Sequence, residues 1–250
     1  MEWWQILLTA LGGAALLLVL SIVFYKQFFK RFWDVVLSGF ALVVLLPLLL
    51  ILTVVGVIAM RGNPFFTQKR PGKKGKDGNE RIFKLIKFRT MSNKKDDSGN
   101  LLPDEQRLNK YGKFLRSTSS DELPELFNIF IGNMSIIGPR PQLVRDMVFM
   151  TEEQRNRHDV KPGLSGLAQV NGRNNITWEQ KLEYDLEYIQ KISIFGDIGL
   201  IFKTVFKVFK REDTVRDGTA SDIDFGDWLL QEGRVSHDEY DKKQIEAKKY

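Results

Sequence analysis

The sequence contains no cysteine and only two histidines, His158 and His237. The absence of cysteine excludes disulfides, a thiolate nucleophile and cysteine-ligated metal sites. Two histidines so far apart in sequence do not suggest a zinc site, so a bound metal would need oxygen ligands. Acidic residues are also outnumbered, with 31 Asp and Glu against 37 Lys and Arg and a net charge of +6. This balance favours anionic partners such as lipid headgroups, nucleotides or nucleic acid.

Charged residues are scarce in the first sixty positions, where apolar residues are concentrated, and the run from Trp3 to Tyr25 has none. At about 1.5 Å per residue this run can cross a hydrocarbon core, so we predict a transmembrane helix. A cleaved signal peptide is the alternative, but its positive charges should precede the apolar run. Here Lys26, Lys30 and Arg31 follow it. They predict a cytoplasmic end at this point and an N-terminus outside.

A second uncharged run, Val35 to Met60, is interrupted by Pro47. Proline inside a helix removes a hydrogen bond and clashes with the preceding turn, so we expect a break near Leu46. Ten basic residues follow between Arg61 and Arg89, and basic segments beside membrane elements stay cytoplasmic. We therefore predict a re-entrant helix that enters and leaves by the same face. A two-span hairpin with both termini inside is the alternative, and a single kinked span is the least favoured.

The rest of the chain predicts an α/β cytoplasmic unit that is mostly helical. Arg81 to Met91 alternates in part between apolar and basic residues, as a strand does. Turn residues predict loops at Arg61–Pro64 and Pro71–Gly78. Helical spacing predicts four helices, at Glu105–Arg116, Leu123–Phe130, Trp178–Ile192 and Ile198–Phe209.

The chain is thus divided into an N-terminal transmembrane helix and basic linker (1–31), a broken membrane helix (32–60), the cytoplasmic unit (61–210) and a charged tail (211–250). The tail has little periodicity, so we expect it to be solvated. The helix predicted at Ile198–Phe209 is amphipathic, with lysines on its polar side. Both core packing and a position in the membrane interface fit that pattern.

Adjacent acidic residues, Asp121 and Glu122, come directly before the helix predicted from Leu123. Ser119 and Glu122 have the spacing of a capping box, and acidic residues are favourable at the positive end of a helix. That position also keeps a carboxylate ionised, so both residues are candidates for a nucleophile or for Mg²⁺ ligands. The two interpretations can hold together.

Two tight segments each contain an arginine suited to anion binding. In Gly138–Pro141 two prolines restrict the backbone around Arg140, whose planar guanidinium fits a phosphate. A structural turn with a solvated arginine is the alternative. The segment Lys161–Arg173 contains three glycines that allow close backbone approach. Its spacing matches neither a Walker A loop nor a dinucleotide fingerprint.

The order of five motifs carries more information than any one of them. They are Lys87-Phe-Arg-Thr-Met91, Arg116-Ser-Thr-Ser-Ser-Asp-Glu-Leu-Pro-Glu-Leu-Phe-Asn128, Gly138-Pro-Arg-Pro141, Lys161-Pro-Gly-Leu-Ser-Gly-Leu-Ala-Gln-Val-Asn-Gly-Arg173 and Tyr184-Asp185. Together they resemble the bacterial sugar transferase family, the monotopic polyprenyl-phosphate phosphoglycosyl transferases. Within that family the chain is most similar to the small PglC-like enzymes, which transfer phospho-N,N'-diacetylbacillosamine.

The resemblance implies a re-entrant helix bent at Pro47 and a catalytic α/β unit on the cytoplasmic face of the bacterial plasma membrane. It also implies a two-step reaction. Asp121 would attack the diphosphate of a UDP-sugar, releasing UMP and forming a covalent aspartyl phospho-sugar. Polyprenyl (undecaprenyl) phosphate would then attack this intermediate to give a polyprenyl-diphospho-sugar. Such a nucleophile divides a difficult phosphoryl transfer into two steps, while Mg²⁺ and arginines offset charge.

By the same likeness, Glu122 supports the nucleophile or, with Asp121, holds Mg²⁺. The implied substrate-binding residues are Lys87, Arg89, Arg116, Gly138, Pro139, Arg140, Pro141, Arg173 and Asp185, the last with a less defined role. The implied donor is an N-acetylated UDP-sugar, and UDP-hexose is the alternative. Two positions depart from the family pattern: Asn133 stands where an acidic residue is usual, and Leu46 where serine is frequent.

A catalytically silent membrane scaffold that binds anionic lipid and recruits glycan-assembly enzymes is the alternative from another functional class. Release of UMP from a UDP-sugar would discriminate between the two. A nucleic-acid binder is disfavoured because basic and aromatic residues are not interleaved in the expected way. Membrane lipids are expected partners, and a homo-oligomer is left open.

Overall fold

The structure, a computed structural model, describes residues 2–172, 176–210 and 223–250. Helices dominate it, and its strands form only a two-stranded antiparallel sheet and a two-stranded parallel sheet within the described residues. This composition confirms the mostly helical α/β class predicted from the sequence.

The apolar N-terminal region forms three consecutive helices. Helix α1 (Trp3–Val23) is the one helix in the described chain that is long and apolar enough to cross a membrane by itself. A π-helical turn (Tyr25–Phe29) joins it to α2 (Lys30–Val44), and α3 (Leu46–Met60) follows. Between the second and third helices the chain bends by 63°. Pro47 lies in the first turn of α3, where a missing N–H removes no helical hydrogen bond. The predicted break is confirmed.

The remaining elements follow in short segments. They are β1 (Phe65–Lys74), β2 (Glu80–Phe88), α4 (Asp104–Arg107), α5 (Lys110–Ser117), α6 (Glu125–Ile131), β3 (Ser135–Ile137), α7 (Val144–Met147), α8 (Glu152–Arg155), β4 (Gly163–Ser165), α9 (Leu167–Asn171), α10 (Trp178–Gln190), α11 (Ile194–Lys210), α12 (Phe225–Gln231) and α13 (His237–Ala247). β1 pairs antiparallel with β2, and β3 pairs parallel with β4.

Two sequence predictions in this region need correction. The strand predicted at Arg81–Met91 is present as β2, but its partner β1 continues through Pro71–Lys74, where a loop was predicted. The register shifts there, which accommodates proline and glycine in the strand. The single helix predicted at Glu105–Arg116 is two helices, because Leu108 is extended and pairs with Met91. Asn109 then begins α5 by accepting a hydrogen bond from the Gly112 N–H.

Helices α2 and α3 have one side packed on the elements that follow them and one side exposed. Leu42 and Leu45 pack against buried residues of β2, α5 and α6. The Tyr111 hydroxyl donates to the Leu52 carbonyl at 2.8 Å. On the opposite side, Val43 and Ile58 are 73% and 72% exposed. An apolar surface of this extent on a protein marks a membrane or protein contact.

The cations after α1 attach the apolar N-terminal region to the rest of the fold. Lys30 Nζ lies 2.5 Å from the buried Asp197 carboxylate at the start of α11. Arg31 donates to the carbonyls of Ile129 and Phe130 at 2.6 and 2.8 Å, at the end of α6. Lys26 donates to a carbonyl of α10 at 3.2 Å. These three residues therefore attach the π-helical turn and the start of α2 to α6, α10 and α11.

Two further predictions concern the C-terminal half. Helix α11 exposes Phe195, Phe202 and Phe206 at 69%, 71% and 58%, which favours the interfacial alternative over core packing for this side. The solvated tail predicted for 211–250 is wrong for its described part. Residues 223–250 form α12 and α13, whose apolar side chains pack on α7 and α10.

Candidate active site

A partly buried cluster of charged side chains lies where β2 meets the turn before α6. Lys87 Nζ lies 2.8 Å from Glu122 Oε1 and 3.1 Å from Glu125 Oε1. Arg140 Nη2 reaches the same Glu122 oxygen at 3.1 Å. The structure thus brings together residues from three of the five motifs, which are far apart in sequence.

The buried amide of Asn128 holds α6 against β2. Its Nδ2 donates to the Lys84 carbonyl at 2.8 Å, and its Oδ1 accepts from the Ile86 N–H at 3.0 Å. Because both contacts are to the backbone of β2, they set the position of that strand against α6. Lys87 is the next residue of this strand, and it faces Glu125 of α6 and Glu122 of the turn before α6.

The nucleophile candidate lies in a short turn instead of a helix terminus. Residues Ser120–Glu122 form one 3-10 turn, and α6 begins at Glu125. Ser119 adopts a left-handed backbone with φ 54° and its side chain makes no cap hydrogen bond, so the predicted capping box is not formed. The left-handed residue turns the chain sharply before Asp121. The half-buried Asp121 carboxyl then lies beside the cluster of Lys87, Glu122 and Arg140.

Burial and the charges in the cluster give three neighbouring carboxyls different pKa values. Burial, and then the charge of Glu122, raise the pKa of Asp121. Burial acts on Glu122 as well, but Lys87 and Arg140 outweigh it and hold the pKa of Glu122 well below its usual range. Burial raises the pKa of Glu125 to about 7. Glu122 is therefore a fixed anion, whereas Asp121 is the more basic of the adjacent pair, as a nucleophile requires.

The loop that carries Arg140 is held by its own backbone and by two other arginines. The Gly138 N–H donates to the Ser165 carbonyl and the Gly163 N–H to the Pro139 carbonyl, both at 2.9 Å. A Cβ at Gly163 would lie 2.1 Å from the Gly138 nitrogen. The glycines of these two motifs are thus required for backbone packing against each other. Gly138, Pro139 and Pro141 are buried, while Arg140 is exposed.

Two backbone carbonyls of this loop accept hydrogen bonds from guanidinium groups. Arg157 Nη2 donates to the Arg140 carbonyl at 2.6 Å, and Arg70 Nη1 donates to the Pro141 carbonyl at 3.0 Å. These bonds leave the Arg140 side chain directed at the carboxylate cluster. The loop therefore presents one arginine from an ordered backbone.

Asp185, a predicted substrate-binding residue, pairs with Arg157 and not with a member of this cluster. Its side chain is 2% exposed and pairs with Arg157, which is 1% exposed. Arg157 in turn binds the Arg140 carbonyl, so Asp185 acts on the site through two intervening contacts.

Three other arginines were predicted to bind substrate, and the structure describes two of them, Arg116 and Arg89. Arg116 Nε donates at 3.2 Å to the hydroxyl of Thr90, a residue of the first motif that lies just after β2. Arg89 is half-buried after that strand, and its N–H donates to the Pro64 carbonyl at 2.7 Å. Arg173 lies outside the described residues.

Sequence reasoning missed Glu125, Arg157 and Asn128 as site residues. Glu122 and Glu125 are three positions apart, a spacing that places side chains on one side of a helix, and this signal was available. Arg157 and Asn128 gave no local signal, because their partners are distant in sequence.

The carboxylates suit a magnesium ion only together with a substrate. Within the described residues no group of three acidic or histidine side chains is arranged to hold a metal. Asp121 and Glu122 offer two carboxylates, and Mg²⁺ is frequently held by one or two carboxylates plus substrate phosphates. The donor set therefore fits Mg²⁺ if a diphosphate supplies the remaining oxygens.

Comparison with known proteins gives one family. The family described as "Bacterial sugar transferase" matches residues 25–211. The "Uncharacterized sugar transferase EpsL" of Bacillus subtilis is 45% identical over 185 residues, covering 73% of this chain and 88% of that protein.

Two longer proteins share the same region. A "UDP-glucose:undecaprenyl-phosphate glucose-1-phosphate transferase" of Klebsiella pneumoniae is 40% identical over 195 residues, which is 72% of this chain and 40% of that protein. A "UDP-galactose-lipid carrier transferase" of Erwinia amylovora is 34% identical over 204 residues, 75% of this chain and 42% of that protein. The chain thus spans less than half the length of these two relatives.

Proposed function

The chain belongs to the bacterial sugar transferase family, and we propose that it transfers a sugar 1-phosphate from a UDP-sugar to polyprenyl phosphate. The observation that carries this proposal is the adjacent Asp121 and Glu122 beside Lys87 and Arg140. A basic carboxylate next to fixed cations suits nucleophilic attack on an anionic diphosphate. The names of two relatives support the same class of donor and acceptor.

The proposed reaction has two displacements at one phosphorus. An Asp121 carboxylate oxygen attacks the phosphorus bonded to the sugar, and the bond from that phosphorus to the bridging oxygen breaks. UMP leaves with the bonding electron pair, and the sugar phosphate remains on Asp121. A phosphate oxygen of polyprenyl phosphate then attacks the same phosphorus and displaces the carboxylate. The products are UMP and a polyprenyl-diphospho-sugar.

The residues of the cluster have distinct roles in this proposal. Arg140 and Lys87 neutralise the diphosphate as charge moves onto the leaving UMP. Glu122 keeps both cations in place through its two short contacts. Arg89, Arg116 and Arg173 are proposed to contact the phosphates or uridine. Bound Mg²⁺, held by Asp121 and Glu122, would supply further charge neutralisation on the diphosphate.

The test of this function is UMP release by the full chain in lipid nanodiscs with Mg²⁺, undecaprenyl phosphate and a UDP-sugar. We expect UMP and a diphospho-linked lipid product in equal amounts. Folded protein that released no UMP from any UDP-sugar would favour the silent scaffold instead.

The donor sugar is resolved by running that assay as a panel. The likeness to the PglC-like group, which stays a prediction, favours an N-acetylated donor. The printed names of the Klebsiella and Erwinia relatives favour UDP-glucose or UDP-galactose. The donor with the highest kcat/KM identifies the sugar class, because specificity is a difference in transition-state binding.

We further propose that α2 and α3 form a re-entrant element with both ends on the cytoplasmic face. Three features support this path: the 63° bend, the exposed apolar side, and cations after α1 that bind the cytoplasmic unit. The N-terminus then lies outside and the catalytic unit lies at the inner surface of the plasma membrane.

Cysteine labelling tests this topology on a cysteine-free background. With a membrane-impermeant thiol reagent, we expect Glu2→Cys to be labelled in intact cells and Lys76→Cys only after permeabilisation. Labelling of Lys76→Cys in intact cells would contradict the proposed path. Labelling of neither position before permeabilisation would favour the two-span hairpin with both termini inside.

A further inference from the structure

Helices α12 and α13 lie beyond residue 211, where the match to the family ends. Their apolar residues are nonetheless integrated into the fold. Phe225 and Leu229 are 3% and 6% exposed and share a buried cluster with Val144 and Met147 of α7 and with Phe149. The contact is close, because a Cβ at Gly226 would lie 2.5 Å from the Phe149 ring. This segment therefore packs firmly on the residues that follow the arginine loop.

Polar contacts join the same two parts. The Asp146 carboxyl is buried, and it accepts from the Leu143 N–H at 3.0 Å and from the Phe225 N–H at 2.9 Å. One side chain thus caps α7 and ties it to the start of α12. Lys243 of α13 adds a bond of 2.8 Å to the Val148 carbonyl.

These contacts lead back to the site within a few residues. Leu143 follows Pro141 by two positions, and the Pro141 carbonyl accepts from Arg70. Burial and then the charge of Arg140 lower the pKa of Arg70 to about 10, and the nearby carboxylates of Asp146 and Asp224 act in the opposite direction. The backbone that presents Arg140 is thus held on its C-terminal side by groups that α12 orders.

We propose that residues 223–250 brace the Arg140 loop, with Asp146 and Gly226 as positioning residues for anion binding. Neither residue contacts the cluster, so their effect passes through α7 and the loop backbone. The consequence for substrate binding rests on the proposed function, whereas the consequence for the loop itself does not.

The variant Gly226→Ala tests the brace, because its new methyl group would push α12 away from Phe149. We expect hydrogen–deuterium exchange to rise in residues 138–147, while residues 84–90 and 120–126 keep their wild-type exchange. We expect KM for the UDP-sugar to rise about fivefold, the cost of one weakened hydrogen bond, with kcat within about twofold. A merely structural defect would instead lower the active fraction, and hence kcat, at unchanged KM.

Two companion variants complete the experiment. Gln231→Ala, at an exposed position on the same helix, should match wild type in exchange and kinetics. Asp146→Asn should reproduce the raised exchange if Gly226→Ala fails to fold, because it weakens the cap without adding volume. Unchanged exchange at 138–147 in folded Gly226→Ala and Asp146→Asn would overturn the brace, whatever the substrate. Raised exchange without UMP release in wild type would instead contradict the proposed function alone.

Discussion

Replacing Asp121 by asparagine is expected to lower UMP release by on the order of 10⁴-fold or more, because an amide cannot serve as the nucleophile. The side chains have nearly the same shape, so the protein should fold and insert. The change also removes one of three neighbouring carboxyls, which relieves the repulsion between position 121 and the Glu122 carboxylate. The measurement is initial UMP release with UDP-sugar and polyprenyl phosphate at saturating concentrations.

The matched control is Asp97→Asn, the same chemical change at an exposed loop position. It should keep wild-type turnover. A mass-spectrometric search of wild-type protein quenched with UDP-sugar alone should find the phospho-sugar on the peptide containing Asp121. Near wild-type turnover by Asp121→Asn, or an adduct on another residue, would show that the nucleophile is assigned wrongly.

Replacing Asp185 by leucine is expected to destabilise the protein by about 3–5 kcal/mol, because it leaves the buried charge of Arg157 unpaired. Arg157 donates to Asp185 Oδ2 through Nε at 2.9 Å and Nη2 at 2.6 Å. Both side chains are almost completely buried, so water cannot replace the lost partner. Chemical unfolding in detergent, followed by tryptophan fluorescence, measures the loss.

The double variant Arg157→Met with Asp185→Leu separates the charge effect from packing. Apolar side chains of similar size often replace a buried ion pair at little cost, so the double variant should regain most of the lost stability. It should still bind UDP-sugar weakly, because the Arg140 carbonyl loses its donor. If the double variant instead lost as much stability as Asp185→Leu and Arg157→Met added together, the two side chains would not be coupled.

The apolar N-terminal helices and the bend between them were predictable because their signal is local. An uncharged run and one proline suffice to place α1 and the bend at Leu45. The site was predictable only in part. Motif order named Asp121, Glu122, Lys87 and Arg140, and the structure brings the last three into contact beside Asp121. Their roles in substrate binding and catalysis stay a prediction.

The sequence could not predict contacts between residues that are far apart along the chain. Ser119 has the spacing of a cap, but the chain before Asp121 needs a left-handed turn, and that geometry excludes the cap. Residues 223–250 have few apolar positions, and these are buried only because α7 and α10 supply a matching surface. Glycine and proline in β1 predicted a loop, yet pairing with β2 and a register shift accommodate them.

Lys26, Lys30 and Arg31 combine a prediction with an observation: they are predicted to orient α1 in the membrane, and they bind α10, α11 and α6. On the proposed membrane path, these contacts give the cluster of Lys87, Glu122 and Arg140 a set height relative to the lipid surface. A carrier whose phosphate lies at that surface would then meet the proposed nucleophile without any movement of the enzyme along the membrane normal. The length of α1 is then free to vary with bilayer thickness, because residues after α1 set the height of the site.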